Sequence, residues 1–324
     1  MLRFAYPLVF LASTSLATPA AGAFELSLPI DCEPNATCIV QNLVDADPGP
    51  GRRDAFCGRA AYDGHKGTDF RVRDVAAMRR GVDVLAAAPG RVLRLRDGEP
   101  DGFRTAAEVG RRECGNGVVI DHGDGWTTQY CHLARDSIRV APGSRVARGE
   151  AIGRVGLSGR TEFPHVHMTL RQGDRVIDPA SGEAVEERAV SRCASKGHAG
   201  SLWDERAREA VREDRTEVLS AGFTNAIIDT ALVVRSQVPP PGTAGPLVFY
   251  AQFSNAEPGD TVRMTVRGPA GPFTENLGAP IETHKATWTA FAGRKRAAPG
   301  RYVGEAILFR DGRMHARTRA EWLR

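Results

Sequence analysis

From about residue 63 to about residue 180, the apolar residues of this 324-residue chain come in short runs punctuated by glycine and other turn formers. The runs are Val82 to Ala88, Val92 to Leu95, Val118 to Asp121, Ile138 to Val140, Ile152 to Val155 and Val166 to Leu170. Such spacing predicts a compact, mostly antiparallel β domain. One short helix is expected inside it, from Asp74 as N-cap through Met78 to Gly81.

The flanks differ. Residues 24–62 are rich in Pro, Gly, Asp and Asn and read as an irregular segment pinned by its cysteines. Within a connecting segment, 181–222, Trp203, Ala207, Ala210, Val211, Val218 and Leu219 share one helical face among many charges, with Gly222 as a stop. This predicts an amphipathic helix packed on a domain. From 223 to 324, Ala226 to Val234, Leu247 to Phe253, Thr261 to Val266, Thr287 to Phe291 and Tyr302 to Phe309 read as strands of a second, small, sandwich-like β domain.

Composition removes several classes of function. With 42% hydrophobic and 25% charged residues, the chain is neither disordered nor collagen-like nor a multispan membrane protein. Its 43 Lys+Arg stand against 39 Asp+Glu, and a net charge of +4 lacks the basic footprint of a nucleic-acid binder. At the N-terminus, Arg3 precedes an apolar stretch, Phe4 to Ala17, and then Thr18-Pro19-Ala20-Ala21-Gly22-Ala23, which ends in small residues where a signal peptidase reads. Residues 1–23 are expected to be a cleaved secretory signal. The stretch is broken by Pro7, Ser13 and Ser15 and is shorter than the roughly 20 residues of a membrane span, so no stable span is expected after cleavage.

Export favours disulfides. Six cysteines, Cys32, Cys38, Cys57, Cys114, Cys131 and Cys193, allow 15 connectivities. Cys114 and Cys131 flank a predicted hairpin, Val118 to Asp121 and Trp126 to Tyr130 joined by His122-Gly123-Asp124-Gly125, and are expected to meet across it. Cys32 with Cys38 is the local choice, which leaves Cys57 with Cys193.

Eight histidines are present, and four fall into three short motifs. His65 and Asp69 are four apart, about 13 Å in a fully extended strand, so a turn must bring them together, and Gly67 can supply it. His165 and His167 follow Pro164, and on a strand they share a face. His132 ends the hairpin in Tyr130-Cys131-His132-Leu133. Each motif alone is weak. Together, three nitrogen or carboxylate donors without a closing fourth describe a catalytic zinc site that keeps a position open for water. His122 reads as turn chemistry, and His198, His284 and His315 have no neighbours that suggest chemistry.

The sequence resembles the lysostaphin-like, LytM-type zinc metallopeptidases of family M23. The resemblance is carried by Gly64-His65-Lys66-Gly67-Thr68-Asp69, by Gly115-Asn116-Gly117 through His122-Gly123, and by Tyr130-Cys131-His132-Leu133. It extends through Val140 to Val146 and Gly149 to Gly156, and ends with Pro164-His165-Val166-His167. It covers about 63–180 and implies an antiparallel β core with a groove, of the LytM, duplicated-hybrid-motif type. It also implies hydrolysis of peptide cross-links in bacterial peptidoglycan. By position, His65, Asp69 and His167 would bind one zinc ion, with His132 and His165 beside it as proton-transfer or oxyanion-stabilising groups. Asn116 and Tyr130 are candidate groove residues, Asn116 being equally readable as a turn residue. Met168 and Thr169 depart from the aromatic and acidic residues common in the family. Cys131 departs too, and ties the position of His132 to its disulfide.

The partners implied are peptidoglycan peptide stems, in the periplasm or after full secretion. Nothing in the sequence distinguishes the bond cut, the oligomeric state or a ligand of the C-terminal domain. The alternative reading is a catalytically inactive scaffold of the same fold that binds cell wall or activates another murein hydrolase; loss of metal ligands would be its signature. A third is a zinc peptidase that acts on proteins.

Overall fold

The computed structural model describes residues 24–185, 200–211 and 216–324. The expected signal, 1–23, lies outside the described residues. So does Cys193, and with it the pairing to Cys57.

The first part runs β1 (Cys38–Asn42), β2 (Thr68–Val72), α1 (Val75–Arg79), β3 (Asp83–Leu85), β4 (Gly90–Arg96), α2 (Ala106–Val109), β5 (Asn116–Gly123) and β6 (Trp126–Leu133). It continues through β7 (Arg145–Val146), β8 (Ala151–Arg154), β9 (His165–Gln172), β10 (Arg175–Asp178), β11 (Glu183–Ala184) and α3 (Glu205–Ala210). The second part comprises β12 (Val218–Thr224), α4 (Thr230–Val234), β13 (Leu247–Ala256), β14 (Thr261–Gly268), β15 (Gly271–Leu277), β16 (Lys285–Arg294), β17 (Arg301–Arg310) and β18 (Arg313–Leu323).

The main sheet has the order β1-β2-β9-β6-β5-β4-β7, with β10 on β9 and β11 on β10, and its paired strands are antiparallel. Period-two alternation decides what each face carries. On β9, Val166, Met168 and Leu170 enter the core, where Phe70 and Val72 of β2 and Tyr130 of β6 join them. The opposite face of β9 carries His165, His167 and Thr169, and that of β2 carries Asp69. A hydrophobic strand face thus fixes, by parity alone, where the polar side chains stand.

The expected antiparallel β core and the short helix are present. Asp74 caps α1 by accepting from the Ala77 N–H at 2.7 Å, and Gly81, at φ +86°, ends the turn. Both described disulfides match the expectation: Cys114–Cys131 with Cα atoms 4.8 Å apart, and Cys32–Cys38 at 5.9 Å. The C-terminal part packs a three-stranded sheet, β12-β13-β16, on a four-stranded one, β15-β14-β17-β18. Phe249, Phe253, Met264, Tyr302 and Leu308 fill the space between them.

Several local expectations are overturned. Residues 24–62 are not wholly irregular, because Cys38–Asn42 is fully buried and forms the first strand of the main sheet. The amphipathic helix is confined to Glu205–Ala210, capped by Asp204, whereas Val218 and Leu219 lie on β12. Pairing with β13 wins over a helical periodicity that bridged two separate elements. Ala226 to Val234 is not a strand: Asp229 accepts from the Leu232 N–H at 2.8 Å and starts a one-turn helix despite the β-branched residues. Ile138 to Val140 also forms no strand, since the Asp97 carboxylate takes the Ile138 N–H at 3.2 Å.

Asn116 and Tyr130, candidate groove residues, are both fully buried away from the groove. The Tyr130 hydroxyl accepts from the Ala87 N–H at 2.8 Å and shares a hydrogen bond with Thr128, which in turn meets His122. His122, half-buried, is therefore the outer link of a polar chain that ends on the Pro89 carbonyl, more than a turn residue. The Asn116 amide donates to the carbonyls of Glu99 and Leu133 and accepts from the Glu99 N–H, stitching β5 to the loop at Glu99. Asn116→Ala strands these groups and should lower the unfolding free energy by about 2 kcal/mol, while leaving metal stoichiometry unchanged. Urea unfolding with a metal assay checks both, and unaltered stability would show that the stitching is not needed.

Candidate metal centre and active site

His65, Asp69 and His167 converge. His65 Nε2 lies 3.2 Å from Asp69 Oδ1 and 3.1 Å from His167 Nδ1, and His167 Nδ1 lies 2.8 Å from Asp69 Oδ1. Asp69 and His167 are directly opposed on the β2–β9 ladder, so register alone brings those two together. His65 arrives from a turn in which its N–H bonds to the Tyr62 carbonyl and Gly64 adopts φ +72°. The expected role of Gly67 changes accordingly. It permits close approach: a Cβ there would lie 2.5 Å from His167 Nε2 and 2.7 Å from the Met168 carbonyl.

Each of the three is held through the atom that faces away from its companions. His65 Nδ1 donates to the Leu43 carbonyl at 2.7 Å, His167 Nε2 to Thr169 Oγ1 at 3.0 Å, and Asn42 Nδ2 donates to Asp69 Oδ2 at 2.8 Å. Outer partners of this kind fix tautomer and ring orientation at metal sites. The donor set fits zinc. Its atoms are 2.8 to 3.2 Å apart, near the edge of about 3.3 Å of a tetrahedron with bonds of about 2.0 Å, and a fourth direction opens on the groove.

His132 and His165 stand beside this set, their rings 4.7 Å apart. His165 Nδ1 donates to the Phe163 carbonyl at 2.8 Å, and its Nε2 lies 3.5 Å from Asp69 Oδ1. His132 reaches the groove by a departure from alternation. Parity would put it with Tyr130 in the core, but Leu133 pairs with Asn116 and Tyr130 with Val118, so β6 carries one extra residue. This bulge, with His132 at φ +63°, re-aims the ring. Three contacts hold it there: the His132 N–H donates to the Cys114 carbonyl, its own carbonyl accepts from Gly156, and Nδ1 donates to the Ser158 carbonyl at 2.9 Å. The Cys114–Cys131 bridge clamps the same turn. Opposite the bulge, Gly117 is obligatory, since a Cβ there would lie 2.5 Å from the Tyr130 carbonyl.

The electrostatics follow from burial. Burial pushes the Asp69 carboxyl up, but His65, His165 and the hydrogen bonds outweigh it and hold it well below the carboxylate range. Burial pulls His65 down, yet the Asp69 charge and hydrogen bond leave it raised. Burial, and then the charges of His165 and His167, hold His132 well below its ordinary value. All five residues line one groove of about 980 Å³, whose walls include Tyr62, Arg104, Arg160, Phe163 and Ala286. Asn42, Leu43 and Thr169 went unread as partners of the three candidate ligands. For Thr169 a signal existed, because it is two residues from His167 and so on its face.

Among known proteins, residues 63–179 match Peptidase family M23. Over 106 residues the chain is 36% identical to the peptidoglycan DD-endopeptidase ShyA of Vibrio cholerae, covering 33% of this chain and 20% of that protein. Over 115 residues it is 30% identical to the cell division protein DipM of Caulobacter vibrioides, covering 35% of this chain and 18% of that one. The matched part thus spans about a fifth of each relative. A crystal structure of a zinc containing peptidase from Vibrio cholerae is 27% identical, covers 44% of this chain and 39% of its own, and has a TM-score of 0.28.

Two outcomes follow. Thr169→Val and Asn42→Ala should each weaken zinc binding on the order of 10- to 100-fold without unfolding the chain, as measured by competition with a chelating dye; unchanged affinity would remove their holding role. The metal-free chain should lose stability as pH falls. His132, His167 and His122 have folded pKa values below the ordinary 6.5, burial being the first cause for each, so the unfolded state binds more protons as pH drops through that range. His65, raised, acts with the opposite sign but is one against three. Melting temperatures of the metal-free protein at about pH 7.5 and about pH 5.5 check the sign, and a higher value at the lower pH would reverse it.

Proposed function

Residues 63–179 being an M23 peptidase domain, we propose that the chain is an exported zinc endopeptidase that hydrolyses peptide cross-links of bacterial peptidoglycan. The observation that carries this reading is the convergence of His65, Asp69 and His167 on one face of the groove, each anchored from behind, with His132 and His165 alongside. The name of the Vibrio cholerae relative, a peptidoglycan DD-endopeptidase, supports a cell-wall substrate. The sequence of residues 1–23 supports export, and among the described residues no helix is long and apolar enough to cross a membrane.

When bound, zinc would act as a Lewis acid on the scissile carbonyl and would make water acidic enough to attack at neutral pH. The protein groups supply position and proton movement. His132 and His165 each commit Nδ1 to a backbone carbonyl, which leaves Nε2 as the nitrogen turned toward the cluster, that of His165 3.5 Å from Asp69 Oδ1. With its pKa pushed down by burial and by the neighbouring histidines, His132 is neutral at pH 7. The pair provides one site to accept the proton of the attacking water and one to stabilise the oxyanion, with return of a proton to the leaving amine. The completeness of the five-residue set supports an active enzyme over the scaffold reading, whose signature would be a missing ligand.

The test is mass spectrometry of muropeptides after digestion with the mature protein, with and without chelator. About one zinc per chain and chelator-sensitive release of cross-linked stems are expected. Ala at His65, Asp69 or His167 should remove the metal. Ala at His132 or His165 should keep it and lower turnover by on the order of 10²-fold or more. Chelator-insensitive cleavage would refute the mechanism, and zinc binding without any cleavage would favour the scaffold.

A further inference from the structure

The C-terminal β part reaches the active site along two buried lines. On the first, Gln41 is the bulged residue of β1, between Val40 and Asn42 in the ladder with β2. Its carbonyl, freed from the ladder, accepts from Asn255 Nδ2 at 3.0 Å, while its side-chain amide donates to Asn255 Oδ1 at 3.1 Å and to the Ala286 carbonyl at 2.7 Å. The next residue is Asn42, which orients Asp69. On the second, Arg71, fully buried on the Asp69 face of β2, donates from Nη1 to Gln41 Oε1 and to Thr287 Oγ1, both at 2.8 Å. Its guanidinium lies 4.6 Å from the centre of the Phe163 ring, and that ring is 4.7 Å from His165, whose Nδ1 donates to the Phe163 carbonyl.

We propose that the C-terminal β part is a built-in support of the peptidase site, with Asn255 and Thr287 acting through Gln41 and Arg71 as positioning residues for Asp69 and His165. A wall-binding module on a tether would need neither contact. The buried amide pair and the buried guanidinium make sense as a fixed junction, because a polar group at a buried interface is retained only if its partners are in place. Ala286, on the same strand as Thr287, also lines the groove, so the support and the substrate wall are continuous. The inference rests on the proposed function only for its kinetic readout.

Arg71 itself is too deeply buried for a clean substitution, so the test uses Thr287→Val and Asn255→Gly in the full chain. Glycine suits Asn255 because its φ is +45°. Each variant should keep one zinc while kcat falls on the order of 10-fold and KM stays within about twofold. In spectra of ¹⁵N-histidine-labelled protein the His165 ring resonances should move, and Thr287→Ser should restore both kcat and resonances. Val266→Ala, a cavity in the C-terminal core, should lower the melting temperature and leave kcat and the ring resonances unchanged. Wild-type kcat and unmoved resonances in both test variants would overturn the inference. If the wild-type chain cleaves no cross-link, the proposed function fails and the resonances alone decide the support.

Discussion

One carboxylate oxygen organises this site. Asp69 Oδ1 has His167 Nδ1 at 2.8 Å, His65 Nε2 at 3.2 Å and His165 Nε2 at 3.5 Å, in a pocket where Asp69 is 2% exposed. A buried carboxylate is tolerated only with compensating charge or hydrogen bonds. Three imidazoles and the Asn42 amide supply them, and a divalent cation shared by the same atoms would supply more. The surrounding structure follows from that requirement: a sheet that sets Asp69 opposite His167, a turn that returns His65, and a first strand that closes the far side of the carboxylate.

The hydrophobic core and the polar cluster are two faces of the same strands. Val166, Met168 and Leu170 bury one face of β9 with no measurable exposure, and a slip of one residue would turn the histidines into the core. The apolar residues therefore set the register of the chemistry. His132 is the exception that needs its own device. Its bulge, its left-handed backbone, the disulfide beside it and Gly117 opposite form one unit around the ring.

What the sequence made legible was whatever rests on short-range geometry. His165 and His167 share a strand face, Asp74 caps a helix, and Cys114 and Cys131 meet across a hairpin; each depends on a few adjacent residues. Misread features depend on distant partners. β1 is a strand because β2 lies beside it, in a stretch whose glycines and prolines mask a run of only three apolar residues, Cys38 to Val40. Val218 and Leu219 continue a helical spacing by coincidence, and pairing with β13 overrides it. β15 and β18 went unread because their apolar residues do not alternate cleanly: Phe273 and Trp322 pack inward with the small Ala316 and Ala320, while Leu277, Met314 and Leu323 are exposed. Asn116 and Tyr130 sit in motif positions that suggest a groove, yet nothing local distinguishes a side chain that lines a cleft from one that braces its wall.

Arg71 shows what such bracing involves. Burial pulls its guanidinium down to about 9, so it keeps its charge at neutral pH in a place where a charge is costly. Gln41, Thr287 and the face of Phe163 offset part of that cost, while Nε and Nη2 have no hydrogen-bond partner among the described residues. An aliphatic side chain of similar length would fill the space with less penalty, so stability alone does not account for an arginine here. What an aliphatic residue lacks is directional grip on three elements at once: β1 through Gln41, β16 through Thr287, and the segment before β9 through Phe163. Two of these carry residues in direct contact with the cluster, Asn42 on Asp69 and Phe163 on His165. A planar cation that joins all three trades stability for fixed distances around Asp69, and fixed distances are what catalysis by placed groups requires.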